Sequence, residues 1–218
     1  MPTDVWSLLF KALWETLYMV VSSGGISFLL GVPLGVLLYV TRERRILENR
    51  AANLVLGGIV NVGRSIPFII LMVAIIPLTR LLTGTSIGTT AAIVPLTVAA
   101  IPFVARIAES ALNEVPSGLV EAAQSMGASP LQIVTRVLLP EARPGLINGM
   151  TITLVTLVSY SAMAGAIGGG GLGDLGIRYG YQRFDGAIML ATVVVLIVLV
   201  QSLQMIGDCL QRYYDRSH

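Results

Sequence analysis

The residues whose types and spacing best suit them to a specific task lie in one stretch: Pro116-Ser-Gly-Leu-Val-Glu-Ala-Ala-Gln-Ser-Met-Gly-Ala-Ser-Pro-Leu-Gln-Ile-Val-Thr-Arg-Val-Leu-Leu-Pro140. Ser117 is a natural N-cap, and Leu119 to Met126 are good helix formers. Glu121 stands near the start of that helix, where the positive end of the dipole favours it. Gly127 suits a left-handed stop. Ser129 then caps a second helix, with Pro130 at its first position and Gln132 three residues on to complete a capping box. Pro140 removes an amide and disturbs the helix before the next long apolar run begins. The expected product is an ordered helical hairpin. Groups for covalent or metal chemistry are scarce by contrast. Cys209 is the single cysteine, which excludes an intramolecular disulfide framework and a cysteine-cluster metal site. The single histidine, His218, is the last residue and reads as a solvated tail. No catalytic residue and no metal ligand set is expected.

The elements that must position this hairpin are membrane spans. Of the 218 residues, 55% are hydrophobic and 12% charged, with a mean hydropathy of +0.81. A soluble fold of this size cannot hide that much apolar surface, so lipid must act as solvent for part of the chain. The net charge of +2 gives no reason to expect a nucleic-acid partner. Five stretches, about 17–40, 54–78, 87–107, 146–167 and 187–206, are long and apolar enough to cross a bilayer. Strand-type alternation is absent, so a β-barrel is not expected. The first apolar run is long enough to span and reads as a retained helix rather than a cleaved signal. The fold class is therefore all-α: a polytopic membrane protein of five transmembrane helices and one helical hairpin at about 116–140, forming a single domain over 1–218.

Basic residues orient it. Arg42, Arg44, Arg45, Arg50, Arg106, Arg136, Arg143, Arg212 and Arg216 fall on one side, against Lys11, Arg80, Arg178 and Arg183 on the other. The richer side is expected to be cytoplasmic, which puts the amino terminus outside and the carboxyl terminus and hairpin inside. The run from Arg42 to Arg50 reads as a topology determinant.

Spans four and five contain no Asp, Glu, Lys, Arg or His. Glu15, Arg106 and Glu109 are expected near span ends, within reach of the interface. Ion-coupled carriers hold acidic or histidine groups within the membrane, so the energy for uphill transport is expected to enter from outside the spans. Arg64-Ser65-Ile66-Pro67 admits two readings. One is an interfacial anchor that snorkels to phosphates. The other is a kinked helix whose charge and freed carbonyls face a transport pathway. Ser159 to Gly165 likewise reads either as close helix packing or as pathway lining by Tyr160 and Ser161, with Met163 as a flexible apolar gate. Gly168 to Gly173 matches GxGxxG but follows a span rather than a strand, so it reads as a tight external turn and not a dinucleotide site.

Glu121-Ala122-Ala123, Gly127, Val137 and Leu139-Pro140, at these spacings, resemble the EAA loop of bacterial ABC importer permeases. Val137 stands where that family often has isoleucine. The resemblance extends along the chain to the methionine-uptake permeases, through Arg64-Ser-Ile-Pro-Phe-Ile69, Gly84-Thr-Ser-Ile-Gly88 and the glycine run after span four. It implies a permease in the bacterial inner membrane that moves methionine, in L- and D-forms, or a related small amino acid. It implies that Glu121, Ala122 and Ala123 form the face that docks on a separate ATPase, with Gly127 setting its angle and Leu139 and Pro140 completing the loop. The chain has no GxxxxGK[ST] phosphate loop, so ATP and Mg are expected on that partner. A homodimer, two ATPase subunits and an external substrate-binding protein are implied as well. Asp174, Arg178 and Arg183 could touch the binding protein, although solvated loop charge is the default. The alternative reading is a self-contained channel or secondary transporter for a small solute.

Overall fold

A run of 38 residues, Thr3–Val40, forms the first helix, α1. At the usual rise per residue it is about 57 Å long, against a hydrocarbon layer of about 30 Å. It therefore starts well before the expected boundary near Leu17. The structure, a computed structural model, describes residues 3–214, so His218 and Arg216 lie outside the described residues.

The second expected span, 54–78, is not one helix. It is replaced by α2 (Arg50–Ser65), α3 (Phe68–Ala74) and α4 (Ile76–Thr83), and α2 meets α3 at 101°. Pro67 causes the break. Its ring excludes the helical region from the residue before it, and Ile66 is accordingly extended at φ −84, ψ 121. Arg64 and Ser65, expected to open this span, instead sit in the last turn of its first half. Three long helices follow: α5 (Thr89–Asn113), α9 (Arg143–Gly165) and α11 (Gly186–Tyr214). By length and composition α1, α5, α9 and α11 can each cross a membrane, and the bent α2–α3 pair makes a fifth crossing if counted as one.

α1 packs along α5 through glycines. A Cβ at Gly31 would stand 2.7 Å from the Val104 Cβ, and one at Gly35 would stand 2.5 Å from the Ala105 carbonyl oxygen. In lipid, apolar burial between helices adds little, so such close small-residue packing supplies much of the association. Ser27 Oγ donates to the Thr97 carbonyl across the same interface at 3.2 Å. α5 continues past Arg106 and Glu109 to Asn113. Glu109 is only 8% exposed and pairs with Arg106 at 2.6 Å. Arg106 also donates to Asn61 Oδ1 at 2.8 Å, tying α5 to α2.

The glycine run after α9 is more than an external turn. Gly168, Gly170 and Gly171 all have positive φ, which lets the chain fold back into α10 (Gly171–Leu175) and a wide π turn over Gly176–Tyr181. Glu15, expected at the interface, lies within α1 and accepts the Gly171 amide at 2.8 Å, while Thr16 Oγ1 accepts that of Leu172 at 2.9 Å. Beyond it Arg178 pairs with Asp174 at 2.6 Å, and Arg183 lies over the Tyr179 ring at 4.4 Å.

Candidate functional site: the hairpin between helices α5 and α9

The hairpin consists of α6 (Ser117–Ser125), α7 (Pro130–Ile133), a π turn over Val134–Leu138 and α8 (Leu139–Glu141). The first cap is Pro116 rather than Ser117. Pro116 is the last extended residue, at φ −57, ψ 128, so Ser117 falls inside the helix and makes no cap. The exit follows expectation. Gly127 adopts φ +76, its amide donates to the Gln124 carbonyl at 2.9 Å, and the Ala128 amide reaches the Ala123 carbonyl at 3.0 Å. Those two bonds are the Schellman pair, and they use carbonyls that the helix end leaves open. Ser129 and Gln132 form the full capping box at the start of α7, with bonds of 2.8 and 3.4 Å.

Pro140 has no amide to donate and its ring crowds the carbonyl four residues back. The ladder before it widens into the π turn, where the Leu139 amide donates to the Val134 carbonyl. The chain then runs on through α8 into α9. Pro140 thus shifts the helical register instead of ending the helix.

The hairpin has an inner and an outer face. Val120, Ala123, Ile133 and Leu138 are buried in one apolar cluster with Tyr39 at the end of α1, Leu112 near the end of α5 and Leu146 near the start of α9. Each such buried aliphatic side chain contributes about 1.5–3 kcal/mol. Ala123, expected on the docking face, is therefore on the inner one at 4% exposure; its small side chain is what lets α6 approach the cluster. Leu139 and Pro140 are half-buried at the hinge into α9. Outside stand Glu121 and Ala122, with Leu119 and with Met126 at 81% exposure. The Glu121 carboxylate has no partner among the described residues. The outer face is thus a small patch bearing the Glu121 charge, backed by the ends of three long helices.

The pathway candidates divide in the same way. Tyr160 stacks on Phe68, with centroids 4.5 Å apart and planes 3° from parallel, which ties α9 to the start of α3. Beside this stack lies a cavity of about 230 Å³ whose lining includes Gly63, Arg64, Phe68, Phe103, Thr156 and Tyr160. Arg64 and Tyr160 therefore share one site. Ser161 does not reach it. One position further round α9, it is 2% exposed, and its hydroxyl donates to the Val158 carbonyl at 2.7 Å. Ser65 is spent similarly, donating to the Asn61 carbonyl at 2.8 Å. Met163 is 42% exposed on a stripe of α9 shared with Ile152 and Ser159, apart from the Arg64 cavity. The Phe68–Tyr160 stack has no local signal in the sequence, whereas the seam of α1 on α5 has one in the Gly31-Val-Pro-Leu-Gly35 spacing, which went unread.

Long apolar helices joined to a capped hairpin with an exposed outer face have the build of a transport permease. The chain belongs to the family described as binding-protein-dependent transport system inner membrane component, whose model matches residues 31–217. A probable D-methionine transport system permease protein, MetI, of Vibrio cholerae is 66% identical over 95% of this chain and 92% of its own. The corresponding protein of Pasteurella multocida is 51% identical over 99% of each chain. A chain of the MetNI methionine ABC transporter, solved in an inward-facing conformation, superposes with a TM-score of 0.97 at 53% identity, over 99% of this chain and 100% of that one. An amino acid ABC transporter solved with histidines shares the fold, with a TM-score of 0.79 at 18% identity over 96% and 95% of the two chains.

Proposed function

We propose that this chain is one of two identical membrane halves of an ATP-driven importer that carries methionine, in its L- and D-forms, or a closely related amino acid into the cytoplasm. The observation that carries the reading is the two-faced hairpin: an inner face packed on α1, α5 and α9, and an outer face presenting Glu121, Ala122 and Met126. A protein seated on the outer face can tilt three crossing helices through the inner one. The likeness to MetI proteins along nearly the whole chain supports methionine as the cargo.

In this reading two ATPase subunits hold ATP and Mg and dock on the paired hairpins. A substrate-binding protein delivers methionine on the opposite side of a bacterial inner membrane. The amino terminus is outside and the carboxyl terminus inside, as the basic residues suggest. Closure of the ATPases draws the hairpins together and biases a two-state bundle towards the outside, and hydrolysis resets it.

The test is purification of the chain from its own cells in mild detergent, paired with uptake of labelled methionine by cells with and without it. An ATPase is expected to copurify, and uptake is expected to require the chain. Glu121→Lys reverses the exposed charge and is expected to lower both copurification and uptake at least about tenfold, the scale of a lost charge-assisted hydrogen bond. Copurification and uptake unaffected by that substitution would remove the docking role.

A further inference from the structure

The bend between α2 and α3 gathers groups that the hairpin does not use. The Arg64 side chain has no partner among the described residues, and no Asp or Glu lines the cavity beside it. Pro67 has no amide, so the Gly63 carbonyl receives no bond from four residues ahead. Gly63 lines the same cavity and, being glycine, offers it only backbone. The cavity wall formed by the end of α2 thus carries the Arg64 cation beside Gly63 backbone, at the negative end of a half-helix. Phe68, Phe103 and Tyr160 supply an apolar wall. α2 is about 24 Å long, so its broken end falls within a hydrocarbon layer of about 30 Å if the helix starts at the surface.

A guanidinium and free carbonyls within one turn complement a zwitterion. Arginine grips a carboxylate with two parallel bonds, carbonyls at a helix end accept from an ammonium, and aromatic rings take an apolar side chain. Ends of discontinuous helices hold polar cargo in transporters for the same physical reasons. We infer that the cavity where Arg64 and Gly63 face Phe68 and Tyr160 is a transit subsite for an α-amino acid with an apolar side chain, with Arg64 holding its carboxylate. The inference rests on the import function proposed above and adds to it a place and a chemistry inside the membrane.

The test uses the complete permease–ATPase complex in lipid nanodiscs, without binding protein. The probe is labelled methionine, and the competitor is methioninol, which lacks the carboxylate. Saturable binding is expected, resistant to methioninol, weakened roughly tenfold or more in Arg64→Ala and partly restored in Arg64→Lys, with all forms melting at one temperature. No saturable binding to the wild type, equal binding by Arg64→Ala, or displacement by methioninol as strong as by methionine overturns the subsite. Neutral and anionic discs separate the two sources of an anion. If Arg64→Ala abolishes only a dependence on anionic lipid and spares methionine binding, Arg64 is a headgroup anchor and the subsite falls. Uptake is followed in parallel. Import by the wild type with binding unchanged in Arg64→Ala sinks the subsite alone, whereas no import of methionine by the wild type sinks the functional reading and the subsite with it.

Discussion

Pro140 and Pro67 present the chain with the same chemical problem and receive opposite answers. At Pro140 the ladder widens by one residue and the chain feeds through α8 and Ala142 into α9. At Pro67 the helix stops and the next one leaves at 101°. The first proline sits beside a hairpin whose apolar side chains are packed on three helix ends, so the surroundings enforce continuity. The second lies where α3 can stack on α9 through Phe68 and Tyr160 instead of continuing α2. A proline removes a donor and crowds a carbonyl; whether the freed groups are re-satisfied or left open is a decision of the neighbours. Beside the cavity the chain turns away after Pro67, whereas at Pro140 the ladder widens into a π turn and the chain carries on.

The contrast can be broken most strongly at Leu138, which is fully buried between hairpin and helix ends. Leu138→Ala is expected to cost about 2–5 kcal/mol, read as a large fall in melting temperature of the purified permease, with loss of uptake. Gly127→Ala forces a side chain into the left-handed region and is expected to cost about 1–2 kcal/mol. The same melt should show it, with copurification of the ATPase weakened because the angle between α6 and α7 changes. A smaller effect on stability is expected at half-buried Tyr160, where loss of the stack adds about 0.5–1.5 kcal/mol to that of its partial burial. Tyr160→Ala should nevertheless raise methionine leak in vesicles, and Tyr160→Phe, which keeps the ring, should not. A Tyr160→Ala melt as low as that of Leu138→Ala would erase the distinction between the two regions.

The hairpin was legible because its rules are local. Gly127, Ser129 and Gln132 each act on backbone within a few residues, so their conformations follow from the order of residue types. Val120 and Ala123 were less legible, because which side of a nine-residue helix faces inward depends on Tyr39 and Leu112, far away in sequence. The four long helices and the bent pair were visible from hydropathy, yet the break in the second stretch was read as a kink at most. Pro67 marks where the helix can break, but the 101° turn that follows depends on the Tyr160 ring, far away in sequence. Charges gave the least guidance. Glu15, Arg106 and Glu109 look like surface groups by position, but each is held by a backbone amide or an opposite charge inside the bundle.

The π turn over Val134–Leu138 fixes a phase as well as a path. Each residue of an ordinary helix turns the next side chain by about 100°, and a π turn inserts one residue beyond that rhythm. The hairpin and α9 are therefore geared to each other with an offset of one tooth. That extra residue adds about 100° to the phase between α7 and the chain that leads into α9.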